Sequence, residues 1–387
     1  MSRARVCHVI TQLELGGAQQ NTLFTVSHLD RDRFEPSLVA GPGGLLDAEA
    51  RRLADTPVRF VPALGRRVSP ASDLGALGAI RKELRALRPD IVHTHSSKAG
   101  ILGRWAAHLE GVPVVIHSIH GFGFHPGQTL PVRAAFQAAE RMTGPITTHF
   151  IAVSRSNREQ GIALGLFRER KATLIRSGVE LDRFRRAGLP EAEALRRELG
   201  IPSAAPLVGM IACLKPQKSA VDFVRAAGLL AGEFPEARFV IAGDGEQRRI
   251  VEGAIARAGL GARFHLLGWR RDVPAIVAGL DVCVLTSRWE GLPRVIPEAM
   301  AAGKPVVATR VDGSAEAVRE GVTGFLCEPG DARTIAARIG ALLADPGRAR
   351  AMGAAARPLA GEWDIREMVR AQESLYGRLL DRAGLGS

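Results

Sequence analysis

The feature that most constrains this chain is the alternation, from end to end, of short apolar β-branched runs with segments of helical periodicity. Runs at 6–10, 37–40, 58–61, 91–95, 112–119, 149–153 and 173–175 read as one series of strands. Runs at 207–212, 238–242, 264–267, 282–285, 305–309 and 324–327 read as a second. Between them, Leu77, Ile80, Leu84 and Leu87 recur at helical spacing, as do Ile335, Ile339, Leu342 and Leu343. Strands apolar on both faces and separated by helices belong to parallel sheets covered on both sides. The fold class expected is therefore α/β.

A polar stretch over 180–203 separates the two series, and 387 residues suit two cores of ordinary size. The predicted organisation is a doubly wound, Rossmann-like N-terminal domain over 1–180 and a second over 181–364. The last segment, 365–387, has no following strand and is expected to pack as a helix on the N-terminal domain. Two such domains facing each other would bind ligands at the carboxyl ends of their strands, where open α/β sheets hold them. No run approaches the ~20 apolar residues of a membrane span. The four isolated cysteines suit free thiols in a reducing, cytoplasmic setting. The formal charge of +12 comes almost wholly from arginine, since only six lysines occur. The basic residues are dispersed without aromatic interleaving, so nucleic acid is not an expected partner. A transient contact with an anionic membrane surface at its inner face is.

The most informative segment is TSRWEGLPRVIPEAMAAGKPVVAT, residues 286–309. It reads as a strand end, a Gly-Pro turn, a short helix stopped at Gly303, and the next strand. Pro297 is tolerated only in a first turn, so the helix must begin near 294–296. Its N–H groups suit an anionic diphosphate. Glu290 in the loop and Glu298 on the helix can accept hydrogen bonds from sugar and ribose hydroxyls. Near the N-terminus, Gly16 and Gly17 follow a strand and precede a helix, an arrangement that suits close, positive-φ backbone. His120 ends another apolar strand. His117, His120 and His125 lack carboxylate or thiol company and helical spacing, so no metal site is expected. His117 reads equally as a core residue.

The 286–309 segment closely resembles the donor-site signature of glycosyltransferase family 4, retaining enzymes of the GT-B fold. Further matches run in order: Leu15 to Gln19, Asp90 to His95, 111–120, Ile151 to Ser154, Ser177 to Phe184, Ile241 to Gly245, and Leu267 to Pro274. The resemblance implies two Rossmann-like domains facing across a cleft. It also implies a hexosyltransferase that uses a nucleotide diphosphate sugar, UDP by default, with no cofactor. It places Glu290 on the donor sugar, Glu298 on the ribose, and Gly291, Leu292, Pro293, Arg294 and Val295 along the sugar and diphosphate. Gly16, Gly17, Gly243, Lys215, Lys218 and Trp269 complete the donor set, and His120 lies beside the reacting sugar. Catalysis is then assigned to His120, Glu290 and Lys218. Arg66, Ser96, Lys98 and Phe122 are candidates for the acceptor side, for which an ordinary loop is the other reading. The acceptor class would be lipid-linked, polysaccharide or small-molecule.

One departure stands out. The family commonly places an arginine and a lysine on the diphosphate, and here Cys213 occupies the arginine's place while Lys218 matches. Lys215 or Arg294 is expected to compensate. With both glutamates on ligand hydroxyls, no carboxylate nucleophile remains, which suits front-face substitution assisted by positioning and charge. The rival readings are a nucleotide-sugar epimerase and a non-catalytic sugar-nucleotide-binding subunit.

Overall fold

The computed structural model describes residues 3–386. Among the described residues thirteen strands form two wholly parallel sheets, and each expected run yields a strand. The first sheet contains β1 (Ala4–Gln12), β2 (Phe34–Gly41), β3 (Val58–Phe60), β4 (Ile91–His95), β5 (Val114–Ile119), β6 (His149–Ala152) and β7 (Ala172–Leu174). Its order is β3-β2-β1-β4-β5-β6-β7. The second contains β8 (Leu207–Ile211), β9 (Arg238–Ala242), β10 (Phe264–Leu266), β11 (Val282–Leu285), β12 (Val306–Thr309) and β13 (Gly324–Cys327). Its order is β10-β9-β8-β11-β12-β13.

The chain divides into two compact units. One runs to Gly178 and resumes at Ile365, and the other is Val179–Asp364. The helix Ile365–Arg382 therefore belongs to the first unit, where Ile365, Met368, Tyr376 and Leu379 join Val6, Ile91, Val114 and Ile116 in one core. On the opposite face Cys7, Val9, Val92 and Val115 pack under the helices Pro70–Leu87 and Ser97–Leu109. Alternation along each strand thus feeds two separate apolar layers, as a sheet covered on both faces requires. Glycines let the Ser97–Leu109 helix lie close. A Cβ on Gly100 would meet the His117 ring at 2.5 Å, and one on Gly103 would meet Thr94 at 2.9 Å. His117 is a buried core residue, 2.9 Å from the Thr94 hydroxyl.

In both sheets the order reverses next to the first strand, between β1 and β4 and between β8 and β11. Loops leaving such a switch point diverge to opposite faces and open a crevice at the carboxyl ends. Those loops carry Gly16 and Ser96 in the first unit, and Lys218 and Glu290 in the second. The four cysteines are free, with Cys7, Cys283 and Cys327 buried.

Candidate active site

In the second unit the site is assembled from the ends of β8, β11 and β12. Thr286 and Ser287, fully buried, close β11. The Thr286 hydroxyl donates to the carbonyls of Lys218 and Ser219 at 3.1 and 3.0 Å, tying the 3-10 turn Pro216–Lys218 to the strand end. The Thr309 hydroxyl donates to the Ser287 carbonyl at 2.6 Å. The Glu290 N–H donates to the Asp312 carboxylate at 2.7 Å. Asp312 has φ +38°, a conformation costly for an L residue. Three strand ends therefore hold one loop.

That loop presents Glu290, 6% exposed. Its Oε1 accepts from Lys218 Nζ at 2.5 Å and from the Ser287 hydroxyl at 2.6 Å. Its Oε2 accepts from Gln217 Nε2 at 3.4 Å, and Gln217 also donates to the Trp289 carbonyl at 2.9 Å. A buried carboxylate with three donors is a stable acceptor poised for hydroxyl groups. Gln217, Ser287 and Asp312 escaped the sequence reading.

The helix after the loop is Val295–Ala301, and Arg294 stands at its N-cap. Glu298, 8% exposed, lies 3.7 Å from the Arg294 guanidinium. Burial pushes the Glu298 carboxyl above its usual range, against the opposing pull of Arg294 and Arg183. Gly291, Leu292 and Pro293 precede the helix, with Leu292 packed on Gly313. The helix has only seven residues, so its end offers local N–H groups more than a long dipole. Cys213 is half-buried, and its carbonyl accepts the Lys215 N–H at 2.9 Å. Gly243 has φ +144°, and a Cβ there would come within 2.0 Å of the Ala212 carbonyl. Close passage of 212–214 past the end of β9 thus explains this glycine by packing alone. Trp269 is half-exposed beside Gly268.

In the first unit the glycine turn differs in its physics from the sequence reading. Gly17 opens the helix Gly17–His28 and Gly16 is its N-cap, with φ −141°. Neither glycine has positive φ. A Cβ on Gly16 would meet only the end of the Gln19 side chain, at 2.6 Å. Both are half-buried at the helix start and neither needs left-handed geometry. Beside β4, the Ser96 hydroxyl lies 2.7 Å from that of Thr11 and 2.5 Å from the His95 carbonyl. Lys98 pairs with Asp73 at 2.5 Å and donates to the Arg67 carbonyl at 2.6 Å. Ser96 is thus tied to the end of β1, and Lys98 to the Pro70–Leu87 helix and the loop before it. Arg66 pairs with Glu14 at 2.6 Å, and Phe122 stacks on Phe124. His120 Nε2 lies 3.1 Å from His95 Nδ1. Burial drives the His120 ring down to about 4, so it is neutral at physiological pH. His8, His93 and His95, which the sequence reading did not join, lie buried behind it. Their histidine-x-histidine alternation on β4 was the available signal.

Comparison with known proteins agrees with this fold. The model of Glycosyltransferase Family 4 matches residues 15–183, and that of Glycosyl transferases group 1 matches residues 191–358. The Escherichia coli UDP-Gal:alpha-D-GlcNAc-diphosphoundecaprenol alpha-1,3-galactosyltransferase is 34% identical over 335 residues, 85% of each chain. The GDP-mannose-dependent alpha-mannosyltransferase of Mycobacterium tuberculosis is 31% identical over 328 residues, 82% of each. Anabaena HepE in complex with UDP-glucose shares the fold at a TM-score of 0.83 and 23% identity, covering 96% of this chain and 98% of that one. Sucrose-phosphate synthase from Thermosynechococcus elongatus shares it at 0.86 and 20% identity, covering 98% of this chain and all of that one. With two GT-B Rossmann-like units and these relatives, the chain belongs to glycosyltransferase family 4 and is a glycosyltransferase.

Proposed function

We propose that the protein is a retaining, metal-independent hexosyltransferase that takes its sugar from a UDP-sugar. In this reading the second unit holds the donor. Glu298 accepts from the ribose diol, Glu290 from the sugar hydroxyls, and Lys218, held against Glu290, turns to the departing diphosphate. The observation that carries the reading is the buried Glu290 carboxylate, bonded to Lys218 and Ser287 at the switch point of a parallel sheet. Cys213 supplies no charge, so Lys215 and Arg294 are the cations that complete the phosphate clamp. The leaving phosphate oxygen accepts the acceptor's proton, and the rate comes from positioning and charge stabilisation.

For the acceptor we propose a lipid-linked sugar diphosphate, and residence at the inner face of an anionic membrane. The support is the name of the galactosyltransferase relative, together with the charge of +12. Among the described residues no helix is long and apolar enough to cross a membrane. Exposed Val68 and Leu74 follow Arg66 and Arg67 after β3, and exposed Leu130 and Val132 start the helix after β5. Apolar side chains beside arginines suit a headgroup boundary.

The test is a transfer assay with a panel of UDP-, GDP- and ADP-sugars and a short-chain polyprenyl-diphosphate sugar acceptor, run in EDTA. Transfer from a UDP-sugar with retained anomeric configuration is expected. A strict need for added Mg²⁺ removes the metal-independent part. Isomerisation of donor without acceptor replaces the reading with an epimerase.

A further inference from the structure

The face of the first sheet that carries the Ile365–Arg382 helix changes character along the strands. At the amino ends it is apolar, with Val6, Ile91 and Val114. One step on it holds His8, His93, His95 and Ser118, all buried. Register dictates this. His8 lies beside His93 across β1 and β4, and His95 lies beside Ser118 across β4 and β5. Alternation then sets all four on one face.

Two separate hydrogen-bond systems result. His93 is bonded at both nitrogens, to the Tyr376 hydroxyl at 2.6 Å and the Ser118 hydroxyl at 2.7 Å. The other three rings form a line. His8 Nδ1 is 3.0 Å from His95 Nε2, and His95 Nδ1 is 3.1 Å from His120 Nε2. The line starts at His8 Nε2, buried and without a hydrogen-bond partner among the described residues. It ends at His120, which lines two small hollows of this unit.

We infer that His8 and His95 are positioning residues, a relay of neutral imidazoles that fixes His120 as its Nδ1–H tautomer, so that His120 presents a hydrogen-bond donor, and not a proton carrier, to a bound sugar. The inference rests on the glycosyl-transfer reading only for the sugar. The tautomer follows from proton counting. Each gap in the line holds one proton, and a neutral ring has one N–H and one bare nitrogen. His95 therefore donates to one neighbour and accepts from the other, and every proton in the line points the same way. Were they to point toward His8, its Nε2–H would be sealed without an acceptor, and orphaned buried N–H groups are rare. Pointing the other way leaves only a bare lone pair there and delivers an N–H to His120 Nδ1. Neutrality is enforced by burial, which drives His8 to about 3 and His95 well below the ordinary histidine range.

Ring nitrogens of His8, His93 and His95 also lie within 4.8 Å of one another, a spacing a metal ion could use. Both His93 nitrogens and the facing nitrogens of His8 and His95 are engaged in hydrogen bonds, which leaves His8 Nε2 open and makes bound metal one outcome of the test.

The full-length protein labelled with ¹⁵N-histidine reads the tautomers directly by long-range ¹H–¹⁵N correlation. The free side chain favours Nε2–H in water, so Nδ1–H at His8, His95 and His120 is a distinctive expected result. His95→Leu should return His120 toward the mixed solution tautomers and lower kcat about tenfold. The Kd for UDP should not change, because UDP is assigned to the second unit. His95→Asn, which retains a donor near the lost Nδ1, should restore most of kcat and guards against a folding defect in the leucine variant. Nε2–H at His120, an unmoved tautomer and kcat in His95→Leu, or one equivalent of tightly held metal would each overturn the relay. If the wild type transfers no sugar, the functional reading falls while the NMR result still decides the tautomers.

Discussion

Removing Lys218 should destabilise the protein more than removing the charge of its partner, and the asymmetry can be worked out from the site. Lys218 Nζ sits 2.5 Å from Glu290 Oε1, with side chains 17% and 5% exposed. Stripping one partner from a buried pair costs about 3–5 kcal/mol because the other charge is left uncompensated. In Lys218→Met the carboxylate keeps Ser287 at 2.6 Å and Gln217 at 3.4 Å, so the low end, about 3 kcal/mol, is expected. In Glu290→Gln the lysine can extend its stem and carry its ammonium to water, so the loss is only about 1 kcal/mol. The double variant leaves no buried charge and should be less destabilised than the sum, with a coupling of about 2 kcal/mol. Equilibrium urea unfolding followed by tryptophan fluorescence gives these differences from midpoints at a common slope. Equal losses in the two single variants with additive behaviour in the double would refute the argument that Glu290 depends on Lys218.

Three further outcomes follow from the geometry. Buried His8 and His120 titrate near 3 and 4 in the folded chain against 6.5 unfolded, so the unfolded chain binds more protons between those values. Their stability contribution is present above pH 6.5 and is lost as pH falls, at about 1.4 kcal/mol per pH unit per histidine. Urea midpoints from pH 7 to 4 should show it, and His8→Asn should reduce the slope by one such increment. Gly243→Ala should lower the melting temperature markedly, since its Cβ would sit 2.0 Å from the Ala212 carbonyl at φ +144°, and an unchanged melt contradicts that packing. Lys215→Ala should lower kcat/KM by about tenfold for each 1.36 kcal/mol of phosphate stabilisation lost, and an unaffected enzyme assigns the compensation for Cys213 to Arg294 alone.

The fold was legible because its strands are buried on both faces and so read as unbroken apolar runs, a signal local to each element. The start of the Val295–Ala301 helix was legible for an equally local reason, the restriction that Pro297 imposes. The partners of the site residues were not. His8 meets His95 across 87 positions, and Gln217 meets Glu290 across 73. Such pairings depend on strand order and register, which no local pattern contains. Gly16 and Gly17 show the reverse problem, since a glycine pair suggests left-handed backbone and the chain uses it instead at an extended helix cap. Lys98 and Ser96 read as ligand groups because they follow a strand end, yet their partners are remote in sequence, Asp73 on the Pro70–Leu87 helix and Thr11 on β1.

The central claim is that Glu298, buried on its short helix, grips the ribose of a nucleotide diphosphate. Calorimetric titration of UDP and 2′-deoxy-UDP into the wild type and Glu298→Ala tests it. Two hydrogen bonds to a carboxylate, each worth about 1.5–3 kcal/mol, should make UDP bind at least about a hundredfold more weakly to the variant. Only the wild type should discriminate against the deoxy ligand, which separates loss of the ribose contact from any disturbance of Arg294. UDP affinity and deoxy discrimination both equal to wild type in Glu298→Ala would contradict the account.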